Sequence, residues 1–139
     1  QVRAKAEAAI GAGLKPIICV GETEAQRDSG EAEAVVIAQL QASIPDAASQ
    51  HFVIVAYEPI WAIGTGRTPT LEDIARMHGV IRQHLATRFA EKGPAIPILY
   101  GGSLKPQNAR EILAVDNVNG GLVGASLLAS DFYTIISAV

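Results

Sequence analysis

The sequence predicts an α/β fold in which four parallel strands are each followed by a helix, with one further helix at the start. Three observations lead there. Short apolar runs alternate with longer stretches of helical periodicity. The runs are nearly continuous rather than alternating, as in parallel strands covered on both faces. Each run is followed by small or polar punctuation: Gly21-Glu22-Thr23, Glu58-Pro59, Gly101-Gly102-Ser103 and Gly124-Ala125-Ser126. Repeated strand–helix units imply right-handed crossovers, and hence a parallel sheet.

Taken in order, Val2, Ala6, Ala9 and Ile10 are spaced for one face of a first helix, which Gly11 and Gly13 end. Residues 16–20 form the first strand. Residues 31–42 form a second helix with Val35, Val36, Leu40 and Ile44 on its apolar side and Pro45 as its stop. Residues 52–57 are rich in β-branched and aromatic side chains, as a strand prefers. Thr68 or Thr70 caps a long helix in which Leu71, Ile74, His78, Ile81, Leu85 and Phe89 recur at helical spacing, and Gly93-Pro94 ends it. Residues 96–100 are the third strand, 105–113 a shorter helix, 121–123 the fourth strand and 129–138 the closing helix. No linker, low-complexity segment or charge block divides the chain, so residues 1–139 read as one domain.

With 139 residues, 49% of them hydrophobic, the chain is long enough to bury a core. The formal charge is −3 and Lys and Arg are scattered, which argues against nucleic-acid or acidic-membrane partners. No apolar stretch approaches a bilayer span, and residues 1–15 read as an alanine-rich amphipathic helix rather than a signal sequence. The single cysteine, Cys19, fits a reducing, cytoplasmic setting and reads as a buried small hydrophobe. No cofactor and no metal-ligand set is expected. His51, His78 and His84 read as structural or exposed.

The chemistry gathers at the strand ends. Glu58 directly follows an apolar strand, a position that points a carboxylate into the mouth of the sheet, where partial desolvation suits a general base. Behind it run Pro59, Ile60, Trp61, Ala62, Ile63, Gly64, Thr65, Gly66, Arg67 and Thr68. Ile60, Trp61 and Ile63 are too apolar for a loop that stays in water, and are explained by a lid that closes over a site. Gly101-Gly102-Ser103 and Gly120-Gly121-Leu122-Val123-Gly124-Ala125 are two glycine-rich loops whose N–H groups suit an anion. Neighbouring loops of this kind after the last two strands of a barrel commonly bind phosphate.

The run from Ala56 to Gly66 resembles the catalytic-glutamate signature of the triosephosphate isomerase family. Cys19-Val20-Gly21-Glu22-Thr23, Tyr100-Gly101-Gly102-Ser103 and Gly121-Leu122-Val123-Gly124 resemble that family's other landmarks, in the same order. The resemblance covers the whole chain and implies half of an eight-stranded (β/α) barrel, the last four units. It implies that Glu58 transfers a proton between two carbons of a three-carbon sugar phosphate. It also implies that Gly64, Ser103, Gly124 and Ala125 hold the phosphate, and that Tyr100, with Ser103, latches the closed lid. The family's catalytic lysine and electrophilic histidine have no counterpart here. Pro69 stands where the lid would offer Tyr100 an N–H, and Ala125 where a second glycine is usual. A half-barrel leaves open edges and an uncovered apolar face, so a homodimer or larger assembly that closes the barrel is expected. Two functions follow: an isomerase acting on dihydroxyacetone phosphate and glyceraldehyde 3-phosphate, or a non-catalytic, self-associating half-barrel with a residual phosphate site.

Overall fold

A computed structural model of the chain describes residues 1–63, 67–124 and 128–138. Its sheet has three parallel strands in the order β1 (Ile17–Val20), β2 (Ile54–Tyr57), β3 (Ile98–Tyr100). The helices are α1 (Val2–Gly11), α2 (Glu24–Asp28), α3 (Ala32–Ser43), α4 (Leu71–Phe89), α5 (Ala109–Leu113) and α6 (Ala129–Ile136). Among the described residues, no helix is long and apolar enough to cross a membrane.

The sheet register sorts residues onto two faces. Ile18 and Val20 align with Val55 and Tyr57, which align with Ile98 and Tyr100. All six are buried, in one core with Val36 and Leu40 of α3 and Ile74, Met77, Ile81 and Leu85 of α4. The opposite face carries Ile17, Cys19, Ile54, Ala56 and Leu99, all exposed or half-buried except Ala56. Cys19 is therefore exposed, not buried as the sequence suggests, because it alternates away from the helices.

Other boundaries move for local reasons. Thr70 caps α4: its hydroxyl accepts from the Asp73 N–H while the Asp73 carboxylate accepts from the Thr70 N–H. That helix stops at Phe89, and Gly93-Pro94 fall in a following 3₁₀ turn, Ala90–Ala95. The short helix α2 is absent from the sequence reading. Thr23 and Gln26 build a capping box that starts it. The expected strand at 121–123 reduces, among the described residues, to a single parallel bridge between Tyr100 and Gly121. Part of the ladder there is replaced by a side chain, since the Ile98 N–H donates to Asn119 Oδ1 at 2.9 Å. Arg82 fixes that asparagine, donating to Asn119 Oδ1 at 2.8 Å and to the Ile96 carbonyl at 2.7 Å.

Candidate active site

Glu58 is the residue after β2, at the end of the sheet where the strands leave their carboxyl termini. Its N–H donates to the Val20 carbonyl at 2.8 Å, and the Gly101 N–H donates to the Tyr57 carbonyl at 2.8 Å, so the parallel ladder continues past the strand end on both sides. The glycines on either side are required by closeness. A Cβ on Gly21 would overlap the Glu58 carbonyl, and one on Gly101 would stand 2.5 Å from Glu58 Cγ. Glu58 thus occupies a slot cut by two glycines on neighbouring strands, half-buried. Gln39 fixes one wall: its amide accepts from the Gly21 N–H at 2.8 Å and donates to the Gly21 carbonyl at 2.9 Å.

The slot opens into a cavity of about 790 Å³. Glu58, Ile63, Ser103, Lys105, Gly124 and Asp131 are among its lining residues. The structure therefore brings together Glu58, Ser103 and Gly124, three of the residues singled out in the sequence. Gly64, Thr65, Gly66 and Ala125 lie outside the described residues. Cys19 borders the same carboxylate. Partial desolvation pushes its thiol pKa up, and the charge and hydrogen bonding of Glu58 push it further.

The loop after Glu58 begins buried. Pro59, Trp61 and Ala62 are buried, whereas Ile60 and Ile63 are exposed, as are Arg67 and Thr68 beyond. Residues Ile60–Ala62 form a 3₁₀ turn. The Trp61 indole N–H donates to Glu22 Oε1 at 2.8 Å, and that oxygen also accepts from the Tyr57 hydroxyl at 3.1 Å and Arg27 Nη1 at 3.3 Å. Glu22 is fully buried. The sequence marks it only as part of a strand-end tripeptide. Its role as a hub depends on Arg27, which lies on α2, the helix the periodicity missed.

Tyr100 is fully buried, with its hydroxyl directly under Gly102 and without a hydrogen-bond partner among the described residues. Burial pushes its pKa up to about 12. Beside it His78 is also fully buried, its Nδ1–H donating to the Asn117 carbonyl at 3.1 Å. Burial lowers the His78 pKa to about 4, so the ring is neutral. The rings of Tyr57, His78 and Tyr100 pack with centroids 5.9–6.5 Å apart, a wall behind the strand ends. Lys105 and Asp131 also line the cavity, and nothing in their sequence neighbourhood marks them as doing so.

Comparison with known proteins gives this geometry a family. The triosephosphate isomerase family model matches residues 1–139. The chain is 61% identical over 138 residues to triosephosphate isomerase of Afipia carboxidovorans and 57% identical over 139 to that of Xanthobacter flavus. The matches cover 99% of this chain and 55% and 56% of those proteins. The crystal structure of triosephosphate isomerase from Bartonella henselae superposes with a TM-score of 0.92 at 46% identity, over 99% of this chain and 56% of that one. The chain spans about half the length of the curated relatives it matches, and its parallel sheet with flanking helices is a half-barrel. The chain belongs to the triosephosphate isomerase family.

Proposed function

We propose that Glu58 is the general base of a triose phosphate isomerisation, and that residues 1–139 act as one half-barrel domain carrying it. The observation that supports this most is the slot: two glycines hold a strand-end carboxylate at the wall of a cavity that also has Ser103 and Gly124 on it. In this reading Glu58 takes a proton from C1 of dihydroxyacetone phosphate. The carbonyl oxygen gains a proton to give an enediol, and the proton returned to C2, with loss of the C1 hydroxyl proton, gives glyceraldehyde 3-phosphate. Backbone N–H groups near Gly64, Ser103, Gly124 and Ala125 hold the phosphate, and residues 59–68 exclude water. Tyr100 latches that loop through its buried hydroxyl. Because Pro69 has no N–H, the latch takes a different backbone partner from the one the family pattern suggests.

The family's lysine and histidine have no counterpart among these residues, and losing one preorganised donor costs about 10²–10³ in rate. Turnover by this chain alone is therefore expected to be slow. An assay of dihydroxyacetone phosphate conversion by wild type and Glu58→Gln tests the proposal: turnover that survives the substitution rejects Glu58 as the base. Titration with 2-phosphoglycolate tests the phosphate loops separately.

A second reading, a self-associating half-barrel with a residual phosphate site, has its own support. Leu128, Phe132, Tyr133 and Ile136 on and before α6 are 50–69% exposed, and Leu14 and Ile17 are exposed beside the open edge of β1. These apolar strips flank the two edges of the sheet, and a second copy closing edge to edge covers both. Sedimentation at micromolar concentration is expected to give a dimer or larger species. A stable monomer rejects this reading.

A further inference from the structure

Both stems of the loop after Glu58 meet at one side chain that plays no part in the chemistry proposed above. On the incoming side, the Trp61 indole N–H donates to Glu22 Oε1, and the Ile60 N–H donates to the Glu22 carbonyl at 3.1 Å. On the outgoing side, Asp73 Oδ2 accepts from the Thr70 N–H at 3.1 Å and from its hydroxyl at 2.8 Å. Arg27 stands between them. Its Nη1 is 3.3 Å from Glu22 Oε1 and its Nη2 is 2.5 Å from Asp73 Oδ1. Its guanidinium carbon lies 4.7 Å from the centroid of the Trp61 ring.

We infer that Arg27 is a positioning residue that ties the incoming stem, residues 59–63, to the outgoing stem, residues 67–70, and so fixes how the two ends of the loop face the Glu58 cavity. The choice of residue follows from geometry. A planar fork reaches two carboxylates at once and stacks on an indole, whereas an ammonium is a point charge that does neither together. Removal of solvent makes the tie stiff: Glu22 is fully buried, Trp61 is 9% exposed and the Arg27 side chain is 25% exposed. Asp73 is held in its charged form. Burial pushes its pKa up, but hydrogen bonds from Thr70 and the charge of Arg27 outweigh this and leave it below the ordinary carboxylate value. Breaking the link at either carboxylate leaves the guanidinium on one side only and unties the two stems. An effect on ligand affinity rests on the phosphate site proposed above, but the tie itself does not.

Trp61 is the only tryptophan in the chain, so its emission reports the incoming stem alone. The test is acrylamide quenching of Trp61 in wild type, Arg27→Gln, Arg27→Lys, Asp73→Asn and Glu72→Gln, each checked for folding by far-ultraviolet circular dichroism. Arg27→Gln and Asp73→Asn are each expected to raise the quenching constant roughly twofold, and the double variant no further, because the two act as one unit. Arg27→Lys is expected to fall between wild type and Arg27→Gln. Glu72→Gln changes an exposed charge in the same first turn of α4 but touches neither ion pair, and is expected to leave quenching unchanged. If Asp73→Asn quenches like wild type, or Glu72→Gln raises quenching as much as Asp73→Asn does, the tie is overturned. Should Arg27→Gln fail to fold, Asp73→Asn and Arg27→Lys carry the test. In a parallel titration, the Arg27 and Asp73 variants are expected to bind 2-phosphoglycolate roughly fivefold more weakly. Unchanged affinity in both overturns the effect on the cavity. A wild type that binds no 2-phosphoglycolate rejects the phosphate site, while the quenching series still decides the tie.

Discussion

Glu22 and Glu58 leave neighbouring strands at the same end of one sheet, yet their surroundings differ in nearly every respect. Glu22 is fully buried, and its Oε1 takes hydrogen bonds from a phenol, an indole and a guanidinium. Glu58 is half-buried between two glycines, lines a cavity and has a thiol beside it. One carboxylate is tied into structure through its Oε1. The other is positioned by sterics, at the wall of a cavity. Strand-end position therefore does not by itself mark a general base. What distinguishes the two is whether the donors around the carboxylate are already spent on it.

The largest effect expected from this contrast is at Glu22. Removing it in Glu22→Ala leaves Arg27, Tyr57 and Trp61 without their shared acceptor in a buried site, and is expected to cost about 4 kcal/mol of unfolding free energy. Urea denaturation measures this. A loss comparable to that of Glu58→Ala removes the contrast.

The next effect lies in the aromatic wall behind both glutamates. His78 titrates near pH 4 in the folded chain and near 6.5 when unfolded. Between those values the unfolded state binds the extra proton. The stability that neutral His78 contributes is therefore complete above about pH 6.5 and is lost as pH falls to about 4, a change on the order of 3 kcal/mol. Urea midpoints measured from pH 7.5 to 4 are expected to fall through that window, and His78→Phe to flatten the slope. An unaltered slope in the variant places the acid sensitivity elsewhere.

Much of this was legible in the sequence, and the failures share a cause. Glu58, its apolar loop and the glycine-rich turns carry local signals: a strand end, a hydrophobicity out of place in a loop, a glycine run. So does the parallel order of the strands. The burial of Glu22 and the exposure of Cys19 carry no local signal, because each depends on which face of the sheet the helices cover. The helix α2 is too short to show a period, and its Thr23–Gln26 box was the available sign. At Gly101 the local sequence signals anion binding alone. That it also makes room for Glu58 follows from the register of β2 and β3, which no single run of residues reveals.

That register gives the third prediction. A Cβ on residue 101 would crowd Glu58 Cγ and Oε1, so Gly101→Ala is expected to displace the carboxylate at a cost of about 2 kcal/mol, read from urea midpoints. A variant as stable as wild type means that the slot accommodates a methyl group, and that Glu58 is not held by sterics.

The smallest effect isolates the charge of Glu58 without any substrate. If its oxygens are unspent, Glu58→Gln removes no structural hydrogen-bond hub, and stability is expected to change by less than about 0.5 kcal/mol, against the large loss at Glu22. The nearby thiol still registers the change. The anionic carboxylate disfavours the Cys19 thiolate, so neutralising it lowers the thiol pKa and raises the thiolate fraction at any pH below it. Alkylation of Cys19 by iodoacetamide at pH 8 is then expected to run about two- to fivefold faster in Glu58→Gln than in wild type. The signs matter as much as the sizes, since a variant that merely loosened the fold would speed alkylation and lose stability together. Faster alkylation with intact stability identifies a charged Glu58 facing Cys19 on the open side of the sheet. Equal rates mean that the two side chains do not share that face, and the separation between a consumed and an available glutamate fails at its second member.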